Sequence, residues 1–151
     1  MVPLSAGPEG LIYNTEEVSS PPTSWQDLFD PAYAGQAALE ADYALPPIAE
    51  TALALGIDDP MSIGGADLER VTSYLDDHRD QFRALWGSDS ELVQLFKSGE
   101  VVIADGGQGV AQRMIDDGVP VKWVPPKEGP ISWVCGLSIT SKAQNLDAAY
   151  R

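Results

Sequence analysis

The sequence predicts an α/β domain: a mostly parallel mixed sheet flanked by helices. Three observations carry this reading. "VVIAD" (101–105) is a continuous β-branched run that suits a strand buried on both faces. Segments with helical periodicity and cap signals alternate along the chain with such strands, the pattern of a layered α/β domain. The 12 prolines and 14 glycines are scattered as punctuation rather than gathered into a linker, and 151 residues fit one domain.

In chain order, "GLIYN" (10–14) reads as a short strand. "TSWQDLFD" (23–30) has Ser24 as N-cap with Asp27 three residues on, a capping-box variant opening a short helix. "PAYAGQAALEAD" gives a turn and then a strand near 36–41. "PPIAETALALG" (46–56) has prolines in its first turn and a glycine at its stop, as a helix should. "GADLERVTSYLDDHRDQF" (65–82) puts Leu68, Val71 and Leu75 on one helical face, with Tyr74 and Phe82 close to it. "FRALW" is a candidate short strand. "SDSELVQLFKSGE" pairs Ser88 and Glu91 at capping-box spacing, with Leu92, Leu95 and Phe96 as the apolar face and Gly99 as the stop. After the 101–105 strand come "GGQG" as a turn and a helix over "VAQRMIDDG". "VPVKWVPP" and "ISWVCGLSIT" supply the last strands. "NLDAAYR" reads as the opening turns of a helix with Asn145 or Asp147 near its cap.

Composition excludes several classes. Nine basic residues against 23 acidic ones give a net charge of −14. Nucleic acid and anionic membrane surfaces need Lys/Arg patches, so neither is a partner. The charge serves as a solubilising surface or as a field that attracts cationic ligands. No apolar run approaches the ~20 residues of a spanning helix, so no membrane insertion is expected. A single cysteine rules out an internal disulfide and is compatible with the cytoplasm or with export. "MVPLSAGPEG" lacks a basic n-region and an apolar h-region, so no signal peptide is expected in this chain. No cofactor is expected.

The candidate chemistry sits where strands run into helices. "VVIADGGQGVAQRM" combines a buried strand, a glycine-rich turn and a helix N-terminus, the crevice in which open α/β sheets hold ligands. Free N–H groups at Gly107 and Gln108 would suit an anionic group; the alternative is a plain tight turn. It is not a dinucleotide fingerprint, because glycines at 107 and 109 would require a third at Gln112. It is not a P-loop either. Asp105 ends the strand, as a turn residue or as an acceptor for a ligand amine. "LEADYALPP" has a similar layout, with Asp42 and Tyr43 either forming the turn or presenting an acid and an aromatic at the sheet's carboxyl edge. Trp133 and Cys135 lie two apart in "KEGPISWVCGLSI", hence on one face of a strand. His78, in "DDHRDQ", reads as part of a solvated helix face. One His and one Cys exclude a metal site built from several such ligands, and nothing in the spacing pairs the two as nucleophile and base.

Four stretches together, "VPLSAGPEGLIYN", "PPTSWQDLFDPAYAGQAAL", "ELVQLFKSGEVVIA" and "WVPPKEGPISWVCGLSITSKAQNLDAAY", resemble the polyamine (spermidine/putrescine) substrate-binding proteins of ABC importers. The resemblance spans almost the whole chain, and its Ser-Trp-x-Asp-Leu and Pro-Lys-Glu-Gly…Trp elements are fairly specific. It implies a periplasmic-binding-protein-like lobe: the second, middle lobe of a two-lobed clamp, with residues 2–14 as the entering strand, residues 131–140 as the returning strand and the first lobe absent. Trp133 matches the family's cleft aromatic. Cys135 stands where polyamine binders carry an aspartate, and Gly107 where they carry a tryptophan that sandwiches the ligand chain. Of an acid pair expected after the 36–41 strand, Asp42 remains.

The resemblance therefore implies a non-enzymatic solute-binding component of an ABC importer, periplasmic or held at the outer face of a membrane. Its partners would be a permease and a small solute, either a polyamine-like cation or an organic anion at the "GGQG" helix start. Half a cleft encloses a ligand poorly, so affinity should be weak. Two other readings stay open: a small α/β enzyme using Asp105 and Gln108 in the 105–109 turn, and an isolated domain that self-associates through its exposed cleft face.

Overall fold

The computed structural model describes residues 2–150; Met1 and Arg151 of the two terminal readings lie outside them. The strands are β1 (Val2–Asn14), β2 (Ala37–Glu40), β3 (Phe82–Trp86), β4 (Ile103–Gly107), β5 (Val121–Val124) and β6 (Ile131–Leu137). The helices are α1 (Leu45–Ala54), α2 (Gly65–Asp77), α3 (Asp89–Lys97), α4 (Gln108–Asp116) and a last short turn, α5 (Leu146–Ala149). The sheet runs β3-β2-β4-β1-β5, with β6 added along the first half of β1. Strand β2 is parallel to β3 and β4, whereas β1 is antiparallel to β4, β5 and β6. The sheet is thus mixed: β1 alone runs against the other five strands, from a central position.

Each face of the sheet is covered. Leu11, Tyr13, Trp25, Leu28, Leu39 and Ile103 form one apolar cluster, against which Tyr74 and Leu75 of α2 pack. Ile12, Trp86, Leu92, Phe96, Val110 and Met114 form the other, with α3 and α4. Consecutive residues of β1 enter opposite clusters, as the two-residue strand period requires.

Several boundaries move from their sequence expectations, for physical reasons. β1 extends back from Gly10 to Val2, because β6 supplies backbone partners for its first half. The ladder of β4 starts at Ile103 rather than Val101 and runs through Gly107, with Gly107 itself capping α4. "GGQG" is therefore not a turn: two glycines are strand and two residues are helix. Gly106 lets the Ile12 and Leu92 side chains close over the strand, since a Cβ would lie 2.8 Å from Ile12 Cδ1 and 3.1 Å from Leu92 Cδ2 and would displace their ends. The helix expected over 65–82 stops at Asp77, and a 3-10 turn carries the chain to Phe82, which opens β3. His78 is not on a solvated face. It caps α2 half-buried, stacked on Tyr74 at 4.0 Å between ring centroids and edge-on to Phe29.

The two sequence motifs that carried the family resemblance meet in space. Ser24 caps the 3-10 helix Trp25–Phe29 with its capping box complete. The same Ser24 hydroxyl donates to Glu128, the Trp25 N–H donates to the other Glu128 oxygen at 3.3 Å, and the buried Trp25 indole donates to the Gly129 carbonyl at 3.1 Å. Lys127 N–H closes the clasp on the Thr23 carbonyl at 2.7 Å. Ser-Trp-x-Asp-Leu and Pro-Lys-Glu-Gly are one structural staple, which fixes the loop that launches β6 and, with it, Trp133.

Candidate functional site

Strands β2, β3 and β4 end at one edge with Glu40, Trp86 and Gly107. β1 passes the same edge in the opposite sense, and its register sets Glu9 between Gly107 and Ile131. A hollow of about 430 Å³ opens there, walled by Glu9, Glu40, Trp86, Gly107, the start of α4 and Trp133. Asp89 and Arg113 also line it, and they are ion-paired with each other. A second hollow of about 390 Å³ lies beside edge strand β3 and is mostly apolar, lined by Leu39, Pro47, Leu75 and Phe82 among others. Converging polar groups beside an apolar wall define a binding site, and only the first hollow combines two aromatic walls with converging carboxylates.

The expected site residues fall into three groups. Trp133 and Gly107 line the hollow. The Trp133 indole lies over Gly7, where a Cβ would come within 2.9 Å of the ring, so the bare backbone of β1 seats the aromatic plate. Asp42, Tyr43 and Cys135 are exposed and do not line the hollow: Asp42 and Tyr43 lie in the loop after β2, Cys135 on β6 opposite Ser5. Burial raises the Tyr43 phenol, and Glu40, Glu9 and Asp42 raise it further, so Tyr43 stands in the field of the same acids. Gln108 is exposed at the first turn of α4 and does not line the hollow.

Asp105 is not an exposed turn residue. It is 1% exposed and already engaged, accepting from the Glu40 N–H at 3.0 and 2.9 Å and from the Trp86 indole N–H at 2.8 Å. It stands behind the hollow, tying together the ends of β2 and β3. The 105–109 segment accordingly offers no reactive group: its one acid is buried and occupied.

Sequence reasoning missed Glu9, Glu40, Trp86 and Glu50. Glu9 lies outside the strand that the sequence predicts over 10–14, and Glu40 reads as an ordinary residue of the strand near 36–41. The Glu9 carboxylate occupies the space beside Gly107, where an added Cβ would lie 3.3 Å from Oε1. Neither Glu9 nor Glu40 has a basic partner among the described residues. Burial raises Glu9 from 4.5 to about 7; the Trp133 indole offsets part of this, and Asp105 and Asp89 add to the rise. Burial likewise raises Glu40 to about 7, with Asp105 and Glu9 contributing repulsion. Burial lifts Asp105 to about 6 against the pull of its hydrogen bonds. Glu50, on α1, is 1% exposed and is pushed well above the usual range by burial and by Asp105. Its signal was visible in sequence: it is the one ionisable residue in the otherwise uncharged α1, "LPPIAETALA".

An anion is disfavoured here. The N-terminus of α4 would welcome one, but Glu9 stands against Gly107, at the helix's cap, and Glu40 and Asp89 share the hollow. The arrangement suits a cation: two unpaired carboxylates for ammonium groups and two indole walls for an alkyl chain, each cation–π contact contributing ~0.5–2 kcal/mol.

A mixed sheet with helices on both faces and a hollow at its carboxyl edge is an architecture this chain shares with solved ABC substrate-binding proteins. The chain belongs to the bacterial extracellular solute-binding protein family, whose sequence profile matches residues 1–151. It is 29% identical over 151 residues to the spermidine/putrescine-binding periplasmic protein 1 of Haemophilus influenzae, covering 99% of this chain and 41% of that protein. Its structure resembles the spermidine/putrescine ABC transporter substrate-binding protein PotD of Streptococcus pneumoniae (25% identity, TM-score 0.80) and a putative spermidine/putrescine ABC transporter protein of Listeria monocytogenes (26% identity, TM-score 0.82). Each match covers 99% of this chain and 45% of the other. The chain thus spans less than half the length of these relatives. They are binding proteins of importers, not enzymes. No helix among the described residues is long and apolar enough to cross a membrane.

Proposed function

We propose that this chain is one lobe of a two-lobed solute clamp of an ABC importer, working outside the cytoplasmic membrane and tethered to it. The hollow at the carboxyl edge of its sheet receives the amine-bearing part of a polyamine-like cation. The observation that carries the reading is the pair Glu9 and Glu40: two carboxylates converge on a hollow walled by Trp86 and Trp133, whose basic lining residue, Arg113, is paired with Asp89 instead. Carboxylates in such surroundings are costly to ionise until a cation completes them. The loss of an aspartate at Cys135 does not empty the site of charge, because β1 and β2 supply acids from elsewhere. A match to polyamine-binding proteins along the whole chain supports the ligand class.

The other lobe finds its place on the β1–β6 ribbon. Val2, Leu4, Val134 and Leu137 are about 60% exposed there, an apolar surface that further chain of the whole protein would cover. The same surface is where isolated copies would associate with one another.

The test is titration calorimetry of putrescine and spermidine against the two-lobed protein that carries this sequence, with fructose 6-phosphate and acetate as anionic controls. Binding of the amines, weakened in Glu9→Gln, is the expected result. Binding of an anion with no heat from either amine would overturn the reading.

A further inference from the structure

Behind the hollow lies a second layer of acids that no ligand can touch. Glu50 of α1 and Asp105 of β4 are each 1% exposed, and each acts on the titration of the other as a side-chain hydrogen-bond partner. No described donor reaches either oxygen of Glu50, and both oxygens are sealed from solvent. The groups facing it are Asp105 from β4, Glu40 from β2 and Glu9 from β1, all of them acids. Two buried carboxylates in contact cannot both be ionised without a cation between them. A metal ion does not fill that role, since no three acidic, His or Cys side chains among the described residues converge as ligands.

We infer that Glu50 is a positioning residue for the cleft: it is held as the neutral acid and donates its carboxyl hydrogen to Asp105, completing a chain of hydrogen bonds that aims Glu40 and Trp86 into the ligand hollow. The chain is continuous. Glu50 O–H donates to Asp105, and Asp105 in turn accepts from the Glu40 N–H and the Trp86 indole. With that one proton in place, the pair carries a single charge, and that charge is spent on the two elements that wall the site. Burial and the neighbouring acids, which push Glu50 far above the usual carboxylate range, favour the protonated form. This assignment rests on the proposed site only in saying what Glu40 and Trp86 are positioned for.

The test reads the proton directly. Carbon-13 spectra of carboxyl-labelled protein at pH 7 should show Glu50 still protonated, and the Trp86 indole N–H, compared between variants at that one pH, reports the hydrogen bond to Asp105. In Glu50→Gln the amide replaces the O–H donor, so the Trp86 resonance stays and putrescine affinity in the two-lobed protein changes less than about threefold. In Glu50→Leu the donor is gone; the Trp86 resonance moves and the Kd rises about tenfold, the loss of roughly one hydrogen bond. A Glu50 carboxyl that titrates in the ordinary range near pH 4.5, or a Leu variant matching the Gln variant in both readouts, overturns the inference. The carboxyl spectrum needs no ligand and no stable variant. A failure of putrescine to bind therefore strikes the proposed function alone, and an ionised Glu50 strikes this inference alone.

Discussion

Glu9 and Glu40 set the charge of the hollow they line. Both are raised to about 7, so at pH 6 most copies carry protons where the ligand's ammonium groups should sit. Putrescine should bind the two-lobed protein more tightly at pH 8 than at pH 6, with proton release visible as a dependence of the calorimetric heat on buffer. Glu9→Gln or Glu40→Gln should each weaken binding by about 10- to 100-fold, the ~1.5–3 kcal/mol of a charge-assisted hydrogen bond, and should flatten that pH dependence. A pH profile unchanged in both variants would show that the amines sit elsewhere. Neither acid was legible in the sequence as a site residue. Acids are abundant in a chain with 23 of them, and only the pairing of β1 with β4 shows that Glu9 faces Gly107. Trp133 was singled out through its match to the family's cleft aromatic, and the fold places it in the wall of the hollow.

The staple between the 3-10 helix and the β5–β6 loop is the element on which the placement of Trp133 depends. Glu128→Ala removes acceptors from the Ser24 hydroxyl and the Trp25 N–H, and it should cost about 1–3 kcal/mol of unfolding free energy. Gly129 has φ of 102°, a region that side chains rarely adopt, so Gly129→Ala should cost about 1–3 kcal/mol as well. Urea denaturation of the chain measures both, and losses under 0.5 kcal/mol in each would mean the loop is held by other contacts. Secondary structure at this scale was largely readable. Cap residues Ser24 and Ser88 and the glycine stops at 56 and 99 bound their elements as local chemistry dictates. The strand limits were not, because the first half of β1 has no pattern of its own and becomes a strand by pairing with β6. β4 likewise runs on through two glycines, which only the ladder can hold extended.

For the whole molecule, the −14 charge and the inward acids act in the same direction. Glu9 and Glu40 have folded values near 7 against 4.5 ordinarily. Between those values the folded protein binds more protons than the unfolded chain, so stability is greatest at the acid end of the window and falls as pH rises through 7. Surface self-repulsion grows over the same range. The Tm should therefore be higher at pH 5.5 than at pH 8, and added salt should recover part of the loss at pH 8 by screening the surface charge but not the buried acids. A Tm that climbs with pH would contradict the raised carboxyl values.

The sequence by itself determined the class: strands and helices in alternation, capped by local signals, with two motifs specific enough to point to a solute-binding family. It also excluded nucleic acid and anionic membrane surfaces as partners, since net charge is a sum and needs no geometry, but it left a cationic and an anionic solute both open. Only the tertiary structure decided which acids matter. Glu9, Glu40, Glu50 and Asp105 come from four elements spread over nearly a hundred residues of chain, and they meet because β1 runs antiparallel through the centre of the sheet and α1 covers its face. Burial then turns four ordinary carboxyl groups into two that face the hollow without a basic partner among the described residues and two sealed behind it, a distinction that arises from desolvation and packing and has no trace in residue order.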